Sequence, residues 1–227
     1  MSKQKELEIT ALKERILSMG GLVEDAIRKA IKALVERDRN LAISVIDGDA
    51  IVNTQDVEIE EECIRLLALW QPTGSDLRFI TTAIKIITDL ERMGDLAVDI
   101  CERAVELMDE PQLKPYIDIP RMAEASQKML KDSLDAFVAR DSDLAMSVCA
   151  ADDFVDNLNH QIFNELLVYM LQDPKNIGRA VRLTYIAKYL ERIADHATNI
   201  AEMVVYMVMG KVIRHMACEL RPKPQQS

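Results

Sequence analysis

Two rows of oxygen-bearing side chains are the part of this sequence best suited to chemistry. Glu91, Asp95 and Asp99 follow one another at intervals of four residues, and Glu191, Asp195 and Asn199 repeat the arrangement. On a helix that spacing stacks side chains a turn apart along one side. Like charges so placed repel and weaken the helix, so the rows need compensation. Arg92 and Arg192 could supply part of it, leaving a solvated acidic stripe. The other source is a cation. Carboxylate and amide oxygens projected from neighbouring helices are the donors that Mg²⁺, Mn²⁺ or an iron centre takes. Further donors stand at Asp49, Asn53 and Asp56, and again at Asp152, Asp156 and Asn159, each set on one helical face. Gly94 and Ala194 keep the space beside the carboxylates small. Recurrence of the motif at matching places favours a metal site in each half over a mere stripe.

Other chemistries lack their residues. There is no nucleophile with an adjacent base, no glycine-rich phosphate loop and no His-Glu-x-x-His helix. A ferritin-like oxidase calls for Glu-x-x-His pairs, and no histidine lies three residues after Glu91 or Glu191. His196 points about 100° away from Asp195 around the helix, and Leu96 occupies the matching place in the first half. A surface or packing role is expected for it. Arg78, in Ser75-Asp76-Leu77-Arg78, is expected to make an ordinary ion pair at a helix start rather than to hold an anion. The chain is therefore expected not to be an enzyme. The alternatives that remain are a carboxylate-bridged metalloenzyme and a purely structural helical bundle.

The elements that must carry these rows read as helices throughout. Six segments show helical periodicity: about Glu6 to Glu36, Asn40 to Trp70, Asp76 to Met108, Arg121 to Ala139, Ser142 to Leu171, and from Asp173-Pro174 to Gly210. Gln71-Pro72-Thr73-Gly74 separates the second from the third, with Ser75 expected as the N-cap. Gly20 and Gly21 inside the first helix mark either a close crossing or a weak point. No strand pattern is present.

The halves repeat. Glu36-Arg37-Asp38-Arg39-Asn40-Leu41-Ala42 matches Ala139-Arg140-Asp141-Ser142-Asp143-Leu144-Ala145, and Leu90-Glu91-Arg92-Met93-Gly94-Asp95 matches Leu190-Glu191-Arg192-Ile193-Ala194-Asp195. A match running in order through three helices implies duplication. The expected fold is all-α: six long helices forming two tandem, pseudo-symmetric three-helix bundles. Residues 1–110 are assigned to the first unit and 118–215 to the second, with a joining segment at 109–120 and a flexible tail at 216–227.

Composition agrees with a helical protein: hydrophobic residues are 49%, aromatics only 4%. A net charge of −10 excludes non-specific nucleic-acid binding, which needs a basic footprint. Cys63, Cys101, Cys149 and Cys218 have no metal or redox spacing and read as buried thiols of a reducing compartment. With no apolar run long enough to cross a bilayer, a cytoplasmic location is expected, with only peripheral membrane contact.

The doubled Leu-Glu-Arg-(Met/Ile)-(Gly/Ala)-Asp, Met19-Gly20-Gly21-Leu22-Val23-Glu24, and Gln71-Pro72-Thr73-Gly74-Ser75-Asp76-Leu77-Arg78 resemble the PhoU family. Asp173-Pro174 and Gly210-Lys211 with Arg214-His215 also fit, and the likeness runs from about Leu12 to Leu220. The resemblance implies a non-catalytic bacterial regulator that represses the phosphate-starvation response. It further implies an adaptor between the ATPase subunit of the high-affinity phosphate transporter and a sensor histidine kinase, modulating phosphate uptake as a homodimer. It implies metal at the Glu-x-x-x-Asp rows, with Mg²⁺, Mn²⁺, Zn²⁺ and iron all open. Asn199 departs from the pattern set by Asp99 and would leave the second site less charged.

Overall fold

The computed structural model describes residues 3–211, and they form six α-helices with no strand among them. These are α1 (Lys3–Glu36), α2 (Arg39–Trp70), α3 (Gly74–Leu107), α4 (Asp118–Ala139), α5 (Ser142–Gln172) and α6 (Ile177–Met209).

Each half turns between its first two helices with the same punctuation. Arg37 and Arg140 both take a left-handed conformation (φ 56° and 55°), reversing the chain after α1 and α4. The aspartate that follows then caps the next helix: Asp38 accepts from the Leu41 amide at 3.0 Å, and Asp141 from the amides of Asp143 and Leu144. The expected N-cap at Ser75 is not used. Thr73, extended and without a side-chain cap bond, occupies that position, and Gly74 (φ 58°) starts α3 ahead of the serine. Asp173 does cap its neighbour, accepting from the Lys175 amide at 2.9 Å, but it opens a short 3-10 turn, Pro174–Asn176, before α6. α4 starts three residues before the expected Arg121, because Pro120 is tolerated in a first turn whose amides need no helical acceptor. The tail assigned to 216–227 lies outside the described residues, as does Cys218.

Within each half the third helix packs against the first two, and the halves meet along α3–α6 and α1–α4. One hydrophobic core runs through both, from Leu12 and Ile16 to Ile200 and Val204. Gly20 settles the question of its role: a Cβ there would lie 2.3 Å from Leu134 Cδ1, so the glycine permits the close α1–α4 crossing. Phe79 of α3 and Phe137 of α4 stack at 5.1 Å between centroids, and the buried Ser126 hydroxyl donates to the Leu190 carbonyl at 3.1 Å. Among the described residues Arg78 makes no ion pair. Its Nε donates to the Met207 carbonyl at 3.1 Å, tying the start of α3 to one of the open carbonyls at the end of α6.

The segment between α3 and α4 is held from both sides. Arg37 donates to the carbonyls of Met108 and Glu110, each at 2.7 Å, and Arg179 to that of Pro111 at 2.9 Å. Lys114 is buried there and pairs with Glu165. Cys63 and Cys101 are buried and Cys149 half-buried, all as free thiols; burial pushes them up to about 12, 12 and 11. No described helix is long and apolar enough to cross a membrane.

Candidate metal site in each half

Antiparallel packing of α2 on α3 brings the two donor sets of the first half face to face. Asp49 lies over the α3 backbone at Gly94, where an added Cβ would stand 3.1 Å from Asp49 Oδ1. A small side chain is therefore needed at that position. Burial raises the Asp49 pKa, Asn53 partly offsets this by donating to Oδ2 at 2.8 Å, and the Asp95 charge raises it again. Glu91 is raised by burial and then by Asp95, with Asp56 and Asp49 adding to the effect and Arg92 opposing it. Asp56 is raised by burial and by Glu60, against Arg92. A cleft of about 240 Å³ opens beside Asp49, bordered by Val45, Gly48, Val52 and Gly94.

The second half repeats the arrangement on α5 and α6. Asp152 is pushed up to about 6 by burial, then by the charges of Asp156 and Asp195. Its Oδ1 and the Thr198 Oγ1 are both buried, and neither completes a hydrogen bond of ordinary geometry. The hydroxyl nonetheless lies near enough to draw the carboxyl down a little. Asp156 is raised by burial and by Glu191, and Asp195 by burial and by Glu191, with Lys188 opposing both shifts.

Most of the expected residues thus share a common field: Asp49, Asp56, Glu91 and Asp95 in one half, Asp152, Asp156, Glu191 and Asp195 in the other. Asn53 joins through its bond to Asp49. Asp99 sits at the edge of its row. Burial and then Glu102 and Asp95 raise it, while Arg103 and Arg192 pull it down. Asn159 and Asn199 are half-buried beyond the facing carboxylates. His196 reaches the other half: its Nδ1 is 2.8 Å from Asp89 Oδ1 of α3, a contact that joins the halves.

Neutralisation comes unequally. Arg92 reaches Glu91 and Asp95, both at 3.3 Å, as the acidic-stripe alternative requires. In the second half Lys188, not Arg192, pairs with Glu191. The i, i+3 spacing from Lys188 to Glu191 was a readable signal for that pair. Thr198 beside Asp152 had none, because it depends on how α5 lies against α6.

The donor set fits a hard, oxygen-seeking cation: carboxylates dominate, they raise one another, and Asp152 holds an unpartnered buried oxygen. The side chains do not converge on one point. Among the described residues no group of three or more His, Cys, Asp or Glu is arranged to hold a metal ion. Binding would therefore require carboxylates to turn inward.

Fold and site together define a duplicated three-helix protein with facing acidic side chains on the second and third helix of each unit. Its relatives are specific. The PhoU domain matches residues 16–104 and 119–204, one copy per half, and the chain belongs to the PhoU family. It is 47% identical to the phosphate-specific transport system accessory protein PhoU homolog of Aquifex aeolicus (strain VF5), over 93% of this chain and 95% of that one. The phosphate-specific transport system accessory protein PhoU of Escherichia coli (strain K12) is 36% identical over 95% and 90%. The crystal structure of PhoU from Pseudomonas aeruginosa superposes with a TM-score of 0.87 at 40% identity, covering 91% of this chain and 99% of that one. The phosphate transport system regulatory protein PhoU from Streptococcus pneumoniae gives 0.84 at 32% identity, covering 91% and 98%.

Proposed function

We propose that this chain is a negative regulator of the phosphate-starvation response. It acts as a cytoplasmic adaptor that couples the high-affinity phosphate transporter, through its ATPase subunit, to a sensor histidine kinase and so modulates phosphate uptake. The observation that carries this reading is the double PhoU-domain match across nearly all of both halves. Relatives named as accessory and regulatory proteins of phosphate transport support it at 32% to 47% identity. In this reading the chain performs no catalysis, works as a homodimer, and touches the membrane only through its partners.

The two sets of facing carboxylates hold divalent or iron-type metal ions, drawn from Mg²⁺, Mn²⁺, Zn²⁺ and iron, which support partner binding rather than a reaction. Mutual raising of the facing carboxylates favours this, since a cation removes the repulsion that burial intensifies. Asp49, Asp56, Glu91 and Asp95 would hold the first ion, and Asp152, Asp156, Glu191 and Asp195 the second.

Binding of the purified full-length chain to the transporter ATPase subunit and to the cytoplasmic part of the kinase tests the adaptor role. Binding to at least one is expected, and binding to neither would overturn it. Elemental analysis tests the metal. E91A/D95A and E191A/D195A should each lose part of the bound metal, and equal content in the wild type and both variants would remove the site assignment.

A further inference from the structure

Two buried side-chain oxygens of the second half complete no hydrogen bond: Asp152 Oδ1 on α5 and Thr198 Oγ1 on α6. They are neighbours, since the hydroxyl lies near enough to act on the carboxyl. Buried polar atoms are almost always bonded, and a water or an ion completes those that no protein group reaches. Helical spacing also carries Thr198 onto the acidic row. It stands three residues after Asp195 and seven after Glu191, on the same side of α6.

The first half has no such pair. Val98 stands where Thr198 does, with no oxygen to offer, and Asp49, the counterpart of Asp152, already accepts from Asn53 at 2.8 Å. In the second half Asp156 takes the place of that asparagine, and it repels the Asp152 charge instead of bonding it.

Carboxylate number alone favours the first half. Asp49, Asp56, Glu91, Asp95 and Asp99 make five, against four in Asp152, Asp156, Glu191 and Asp195. Built-in cations reverse that advantage. Arg92 contacts both Glu91 and Asp95, while Arg103 and Arg192 oppose Asp99. In the second half Lys188 pairs with Glu191, and it opposes Asp156 and Asp195 together with His160 and His196. Among the described residues no positive side chain pairs with Asp152. Asp152 thus has neither a cation nor a completed hydrogen bond, whereas Asp49 has Asn53.

We propose that Thr198 is a cation ligand beside Asp152, and that this pair makes the second half load a hard divalent cation before the first half does. The inference rests on the metal reading above and deepens it: each half takes an ion there, and here the two acquire an order and a residue that sets it. A hydroxyl is a neutral oxygen donor, and hard cations accept such donors alongside carboxylates. Asp195 is exposed and free to turn inward towards the pair.

The test follows Mn²⁺ uptake by chelator-treated full-length protein, read from the electron paramagnetic resonance signal of the free ion. Wild type, T198V, T198S, E91A/D95A and E191A/D195A are compared, with a metal-free thermal melt of each. Wild type is expected to take up Mn²⁺ in a tight step and a weaker one. T198V gives the second half the residue that the first half carries. It should weaken the tight step by about tenfold or more and leave the weaker step alone. Its metal-free thermal midpoint should hold or rise, because an unpartnered buried hydroxyl has been removed. T198S keeps the oxygen and should bind as wild type does. E191A/D195A should abolish the tight step and E91A/D95A the weaker one.

A tight step of wild-type affinity in T198V would overturn the proposal and leave a water to bridge the two oxygens. So would a T198V protein whose affinity and metal-free midpoint both fall, since Thr198 would then be supporting the fold. Loss of the tight step in E91A/D95A rather than in E191A/D195A would overturn the order while leaving the metal reading intact. A wild type that takes up no Mn²⁺ would defeat the metal reading itself, and this assignment with it.

Discussion

At the scale of single residues, Asp152 shows how burial and facing charge change a carboxyl that the sequence presents as one of a row. Its carboxyl is raised to about 6 because it has left water and faces Asp156 and Asp195. A carboxyl whose pKa is higher folded than unfolded holds its proton more tightly in the folded state. The metal-free protein should therefore gain stability from this group as pH falls from about 6 towards 4, and lose that gain as pH rises again. Denaturant melts of chelator-treated protein across that range, wild type beside Asp152→Asn, check this. The variant should be the more stable of the two near pH 7 and should show a flatter profile. Metal affinity should move the other way, falling below about pH 6 as protons compete with the cation. The rows Glu91-Asp95 and Glu191-Asp195 were legible in the sequence because helix periodicity alone aligns them. Nothing local in the sequence reports that Asp152 is more deeply buried than Asp49, or that Thr198 lies beside it. Both depend on how α5 lies against α6.

At the scale of elements, the boundaries were read most accurately where a side chain does the capping. Asp38 and Asp141 bond the first free amides of α2 and α5, and the aspartate at the start of each helix marks it in the sequence. Replacing Asp141 by Ala should cost about 1 kcal/mol, seen as a lowering of the thermal midpoint by about 2–4 °C. Ser75 misled because a serine ahead of an apolar-periodic run looks like a cap, whereas backbone freedom at Gly74 starts α3 earlier. Arg78 misled for a different reason. Its acceptor, the Met207 carbonyl, is 129 residues away in sequence, and no local pattern reports which distant helix end will arrive beside it.

At the scale of the whole molecule, duplication was visible in the sequence, but the intimacy of the two halves was not. The α1–α4 and α3–α6 contacts merge two three-helix units into one core, with the Gly20–Leu134 crossing and the Phe79–Phe137 stack at the seam. Urea unfolding should accordingly proceed in a single transition, the same by circular dichroism and by tyrosine fluorescence. Gly20→Val, which forces a side chain into the space of Leu134 Cδ1, should lower stability by about 1–3 kcal/mol. Two separated transitions in the wild type would mean that the halves fold independently. The same core joins α3 and α6, the helices that carry the two Glu-x-x-x-Asp rows, and the His196–Asp89 contact bridges them.

The regulatory role is tested most directly by the output of a phosphate-starvation reporter in the chain's own host, with the gene deleted and then restored, grown in abundant phosphate. Restoring the wild-type gene is expected to hold the reporter low, while E91A/D95A/E191A/D195A, expressed to the same level, leaves it raised. A reporter that stays equally high with and without the folded wild-type protein would contradict the regulatory role assigned here.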